Sequence, residues 1–350
     1  MIALFSASVI TVKAAGNLTD TTKTSDAPLV LSGSVDAYYK YDFSGRKNIP
    51  TSFASDQNSI SIGMIDLGLK KKVGKASFVG EVSFGPRSDQ SLPTANTNYH
   101  IQNLYVSYDV TDKLNLTGGY MATFIGYEVI SPAGNFNYST SYLFTNGPFQ
   151  NAGFKATYAF SDKISLMAGI FNDEWNVYQS AHNVDAFGAQ LFIAPAKGWT
   201  AYINLLTANN STPTSGTELD LTTTYQITGA FKLGLNAADY SASNGAGTGG
   251  FEGVALYPQL AVSKVVTLGL RGEYFKNKSG SYESVGPAAG QSVTGLTLTA
   301  NVKAGPLTLM PEVRLDNGSK DMFYDHNSTA SADPDARSAS QFVLAAVYSF

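Results

Sequence analysis

Three histidines, no cysteine and a scatter of carboxylates are the groups in this chain that could carry covalent or metal chemistry. His100, His182 and His326 form no His-Glu-x-x-His pair. Ser180, His182 and Asp185 come nearest to a nucleophile, a base and an orienting acid, yet a solvated loop histidine accounts for them as well. Without cysteine there is no disulfide, zinc–thiolate or thiol nucleophile. Without a histidine pair, a transition-metal site is not expected. The glycine-rich run 245–250 would suit a phosphate, but no helix follows whose N-terminus would bind the anion. Asp316, Asp321, Asp325, Asp333 and Asp335 could bind calcium through carboxylates, although their spacing departs from an EF-hand. The sequon Asn210-Ser211-Thr212 reflects the abundance of Asn, Ser and Thr. The expectation is a chain with no catalytic residue, no cofactor and no metal.

A different kind of chemistry is written in where the charges fall. Asp36, Lys40, Asp66, Lys70, Glu81, Asp109, Lys155, Asp220, Lys232, Arg271, Glu273, Glu312, Arg314 and Asp316 all occupy the polar positions of alternating segments. On the apolar positions, charge is confined to segment ends, as at Lys71, Asp185 and Asp239. A charge facing lipid at the bilayer midplane costs about 2–4 kcal/mol and far less at the interfaces. The polar rows are therefore expected to line a water-filled pore, and the apolar rows to meet lipid.

The elements that hold these rows are strands. In 265–275, Val266, Leu268, Leu270 and Tyr274 share one face, while Thr267, Arg271 and Glu273 share the other. The pattern recurs about sixteen times, from 29–43 and 59–73 to 338–350. Tight turns such as Gly74-Lys75, Ser161-Asp162 and Ser263-Lys264 alternate with long polar connections. The fold class expected is all-β: an antiparallel up-and-down transmembrane barrel with short periplasmic turns and long extracellular loops. Composition agrees. Charged residues are 14 % and apolar residues 43 %, the average of an apolar outside and a polar inside. The net charge of −4 argues against nucleic acid as a partner. Aromatic residues gather at both ends of the apolar rows: Phe78, Tyr108, Tyr158, Phe160, Trp199, Tyr225 and Phe231 at the short-turn end, and Tyr39, Tyr41, Phe43, Phe84, Tyr120, Phe187 and Tyr274 at the other. Two such girdles belong at the two headgroup levels.

The domain reading is a signal peptide over 1–14, with Val12 and Ala14 flanking its cleavage site but no basic start, then a periplasmic segment over 15–28 and the barrel over 29–350. The last strand alternates and ends on Tyr348 and Phe350, the pattern of a sorting signal read by the barrel-assembly machinery.

Several strings resemble the OmpL-like β-barrel porins of Gram-negative outer membranes. They are Gly126-Tyr127-Glu128, Asn135-Phe136-Asn137-Tyr138-Ser139, Phe144, Gly147-Pro148, Leu270-Arg271-Gly272-Glu273-Tyr274-Phe275 and Pro311-Glu312-Val313-Arg314-Leu315-Asp316. The resemblance runs from about residue 30 to the C-terminus. It departs in the fourth long connection, where a Trp expected close after the strand-ending asparagine stands at Trp175, after Asn172-Asp173-Glu174. The resemblance implies an outer-membrane porin surrounded by lipid, passing small hydrophilic solutes by passive diffusion. Weak charge selectivity is expected, because acidic and basic residues on the polar rows largely offset each other. A sugar-selective transporter, with Tyr38, Tyr105, Tyr202 and Tyr257 as stacking residues, is the alternative; a barrel enzyme or adhesin is a third. Homo-oligomerisation stays open.

The connection over 123–149 is the longest, and loops beyond roughly 12–15 residues usually carry function or are disordered. Its apolar content, including Tyr127, Phe136 and Tyr138, argues against disorder. It is also the third external connection, the one that folds inward in general porins. It is expected to fold into the barrel and narrow it, with Glu128, its only charge, favouring cations; an outward lid or a contact between barrels is the alternative.

Overall fold

The computed structural model describes residues 27–93, 99–180, 182–209, 212–326 and 333–350. The expected signal peptide, nearly all of the segment over 15–28, and Asn210 and Ser211 of the sequon lie outside them. The strands are β1 (Val30–Asp42), β2 (Ser59–Val73), β3 (Ala76–Phe84), β4 (Ile101–Asp109), β5 (Leu114–Ala122) and β6 (Gln150–Ser161). Next come β7 (Ile164–Phe171), β8 (Ala186–Ala196), β9 (Trp199–Ala208), β10 (Gly216–Gln226) and β11 (Phe231–Ala242). The series ends with β12 (Gly250–Ala261), β13 (Val266–Asn277), β14 (Ser292–Ala304), β15 (Leu307–Gly318) and β16 (Ser338–Ser349). Each pairs antiparallel with its sequence neighbours, and β1 pairs with β16, closing a barrel of sixteen strands. Closure leaves no unpaired edge, which is what a strand-built membrane protein needs where no water can satisfy its backbone. No helix among the described residues is long and apolar enough to cross a membrane.

Alternation survives into three dimensions. Leu298 and Leu315 are about half exposed on the outer face, while Thr297, Glu312 and Arg314 between or beside them are buried inside. The expected strand segments fall on the observed ones, β2 at both ends and the others within a few residues. The fifth and sixth long connections, 209–215 and 243–249, are shorter than the alternation suggests, because β9 continues to Ala208 and β10 begins at Gly216, and β11 continues to Ala242 and β12 begins at Gly250. Register shifts mark bulges that alternation alone does not reveal. One lies between β1 and β2, where the N–H of Met64 donates to Asp36 Oδ1 at 2.8 Å. A side chain at Gly63 would run into that same carboxylate. A wall carboxylate thus satisfies the backbone donor that the bulge frees.

The girdles form as expected with one exception. Tyr108, Phe160, Phe84 and Phe187 stand on the outer face. Tyr120 is buried instead, covered edge-on by Tyr178 from the connection after β7, with ring centroids 4.7 Å apart. Two short helices lie in long connections: α1 (Pro86–Ser91) and α2 (Tyr142–Asn146).

Candidate functional site

The segment over 123–149 enters the barrel and is bonded to its inner wall. Its neck is closed by the N–H of Thr123 donating to Phe149 O at 3.1 Å. The chain then crosses strand after strand. Gly126, at φ 84°, turns it so that its N–H donates to Asp220 on β10 at 3.0 Å. Ser131 donates to Asp66 on β2 at 2.7 Å. Asn137 donates to Thr299 on β14 at 2.7 Å. The N–H groups of Tyr138 and Ser139 donate to the two oxygens of Glu312 on β15, at 2.8 and 3.1 Å. The Tyr138 hydroxyl donates to Asp36 on β1 at 2.5 Å.

Helix α2 is fixed by its N-terminus. Ser141 caps it, accepting from the N–H of Phe144, and the free N–H groups of Tyr142 and Leu143 donate to Glu273 on β13 at 3.0 and 2.9 Å. An unpaired helix-end donor facing a carboxylate is favourable twice over, as a hydrogen bond and as a charge at the positive end of the helix. The Tyr142 hydroxyl donates to Asp316, which Arg314 grips with two nitrogens at 2.8 and 2.9 Å. Arg314 also donates to Thr140 O at 2.8 Å. Hydrogen bonds to charged groups contribute about 1.5–3 kcal/mol each where they are kept from water.

Apolar packing follows the same path. Tyr127 stacks on Tyr257 of β12 at 4.3 Å between centroids, and it fills the space that a side chain at Gly234 would need. Phe124 sits over Gly188, and Phe136 over Gly269, each so close that a Cβ on the glycine would collide with the ring. Leu143 lies 2.9 Å from where a Cβ of Gly253 would be. These inward glycines on β8, β11, β12 and β13 are the seats of the segment, and residue-by-residue reading of charge and aromaticity passed over them. The available signal was a glycine on the polar row of a strand, which marks close approach by another part of the chain.

Glu128, expected to offer its charge to passing ions, is 8 % exposed and pairs with Arg271 at 2.7 Å. It also accepts from the N–H and hydroxyl of Ser141. Its charge is offset inside the protein, which corrects that expectation. Arg271 donates further to Ser139 O at 2.6 Å. Of the expected pore-lining charges, Asp36, Asp66, Asp220, Arg271, Glu273, Glu312, Arg314 and Asp316 are brought together under the segment and are buried. Lys40 is buried beside them. Glu81 accepts from Asn103 at 2.5 Å. Lys155 and Lys232 are half-buried, and their side chains make no hydrogen bond or ion pair among the described residues. Lys70 is exposed at the turn end, and Asp109 pairs there with Lys72 at 2.7 Å. Tyr348 stands on the outer row at that end; the backbones of Phe350 and Gly33 exchange two hydrogen bonds. Of the four candidate sugar-stacking tyrosines, Tyr257 lies under Tyr127 and Tyr38 packs against Tyr138 at 5.5 Å. Only Tyr105 and Tyr202 stay half open.

The triad-like fragment resolves differently from its spacing. Ser180 donates to Asp173 at 2.6 Å and His182 Nδ1 lies 3.2 Å from the same carboxylate, so the shared acid is Asp173 rather than Asp185. No bond joins the His182 ring to the Ser180 hydroxyl, so the group ties a loop and activates no nucleophile. Trp175, near the start of the same connection, packs edge-on against Tyr240 at 5.4 Å.

The family described as "Putative beta-barrel porin-2, OmpL-like" matches residues 28–350. The chain belongs to this porin family. Its place is the outer membrane. Among solved structures, OmpT of Vibrio cholerae (in-vitro folded, trimer form) is similar at 14 % identity, covering 92 % of this chain and 99 % of its own, with a TM-score of 0.57. The anion-selective porin from Comamonas acidovorans is similar at 12 % identity, 92 % and 99 % coverage, and a TM-score of 0.58. Salmonella typhi OmpF, solved with daunomycin, is similar at 12 % identity, 92 % and 97 % coverage, and a TM-score of 0.59. No curated protein sequence matches the chain. At these identities the solved porins share the barrel fold with this OmpL-like porin, and the family match carries the assignment.

Proposed function

We propose that this porin is a passive diffusion channel for small hydrophilic solutes, narrowed by the segment over 123–149 and only weakly selective for charge. The observation that carries this reading is where the segment makes no contact. Between residues 124 and 148 no hydrogen bond or ring contact reaches β3, β4, β5 or β6 among the described residues, whereas such contacts engage β1, β2, β7, β8, β10 and β12 to β15, and Tyr127 packs over Gly234 of β11. The passage then runs along the free arc, between that wall and the segment. Its wall charges are Glu81 and Lys155, one of each sign, together with Asp109 at the turn end, which Lys72 offsets at 2.7 Å; this supports weak selectivity with at most a slight cation preference. The barrel needs no catalytic group for this task. Its partners are outer-membrane lipid on the apolar rows and the barrel-assembly machinery at Tyr348 and Phe350. A homo-oligomer is compatible with the trimer form of the Vibrio cholerae neighbour.

Reversal potentials in a salt gradient test the reading. Glu81→Gln should shift the potential towards anions and Lys155→Gln towards cations, each from a wild type near zero. Strong anion selectivity of the wild type, or no shift in either variant, would contradict it.

A further inference from the structure

An alternating wall that faces only water has no need of a phenyl ring, yet Phe192 occupies an inward position of β8. Its register partner on β9 is Tyr202, and the two ring centroids lie 5.1 Å apart. Their inward placement is fixed by the rows they sit on: two positions along, Gln190 and Asn204 bond to each other at 2.8 Å inside the barrel, while Ile203 between them faces lipid. Both rings are half-buried. No ring of the segment over 123–149 covers them among the described residues, unlike Tyr38 and Tyr257. They lie four positions closer to the periplasmic turn than Gly188, where Phe124 docks, so they stand below the segment on the periplasmic side.

The neighbours of these rings are neutral and polar. Thr222 pairs in register with Tyr202, and Thr200 and Thr224 bond through their hydroxyls at 3.0 Å. The nearest carboxylate on β10, Asp220, is taken up by Gly126, Asn204 and Asn236. Half-open aromatic rings among uncharged hydroxyls and amides match a neutral pyranose, whose C–H face covers a ring while its hydroxyls bond to the rim. Leaving a phenyl ring in water forfeits burial that an aliphatic wall position would not need.

We propose that Phe192 and Tyr202 form a subsite for neutral carbohydrates in the lumen, on the periplasmic side of the folded-in segment. The proposal rests on the channel reading above and deepens it by naming a solute class. The competing explanation is a cross-strand aromatic pair that only steadies the sheet.

The test is ion current through the reconstituted barrel in a planar bilayer, titrated with maltotriose. The wild type should show a saturable decrease, and Phe192→Ala or Tyr202→Ala should raise the half-saturating concentration about tenfold. Phe192→Leu, which keeps an apolar side chain on β8, should weaken the block to the same degree while melting close to the wild type. A decrease that is linear in maltotriose and equal in all barrels would overturn the subsite. So would variants that lose thermal stability but keep the wild-type block. A wild type with no conductance at all would sink the channel reading itself, and the subsite with it.

Discussion

Glu128 and Arg271 stand 143 positions apart in sequence and 2.7 Å apart in the barrel. The row pattern places Arg271 on the inner face, but which inner charges stay in water and which are consumed depends on that distant contact. This is why the charges were legible and their partners were not. Removing one member of a buried ion pair leaves the other uncompensated, at about 3–5 kcal/mol. Arg271→Met should therefore lower the unfolding midpoint substantially, and Glu128→Gln should do so while leaving the reversal potential where it was. A shift of reversal potential in Glu128→Gln without loss of stability would return Glu128 to the passage. Gly269→Val tests the seat of Phe136: the displaced ring should loosen the segment, raising single-channel conductance or its noise. A variant with wild-type conductance and noise would mean that the glycine is incidental.

At the scale of elements, alternation made the strands readable, because each strand presents one face to lipid and the other to polar groups. β2 was read at its observed bounds. Tyr120 was misplaced because its cover, Tyr178, comes from a loop, and loop packing leaves no period in a sequence. The lipid-facing assignment predicts that Leu298→Arg costs about 2–4 kcal/mol by urea titration in vesicles, and Thr267→Arg much less. Equal costs would reverse the two faces. In the connection after β7, burial works against the charge of the Asp173 carboxylate. Hydrogen bonds from Ser180 and Asn183, with His182 beside it, outweigh burial and hold its pKa below the usual aspartate value. A lowered pKa stabilises the folded loop above the ordinary aspartate range, and that support is lost as pH falls through the lowered value. Cleavage after Glu174 by a glutamate-specific protease should thus be slow at neutral pH and fast in Asp173→Asn. Equal rates would mean that the tie does not hold the loop.

Taken whole, the molecule is a barrel whose long connections lie at one end and whose third connection turns inward. The sidedness was open to sequence reading; the path of the segment across the lumen was only hinted at by its apolar content. Its seats on Gly188, Gly234, Gly253 and Gly269 exist only once the barrel has closed. Trypsin added to intact cells should cut after exposed Lys320 and spare Lys264; the reverse would invert the orientation. The central claim is that the segment over 123–149 sets the width of the passage. Single-channel conductance of a barrel lacking residues 130–142, shown to be folded by its heat-dependent electrophoretic mobility, measures that width directly. The deletion removes the stretch that carries Ser131, Phe136 and Tyr138, so conductance should rise well above the wild type. An unchanged conductance in the folded deletion barrel would show that the constriction lies elsewhere.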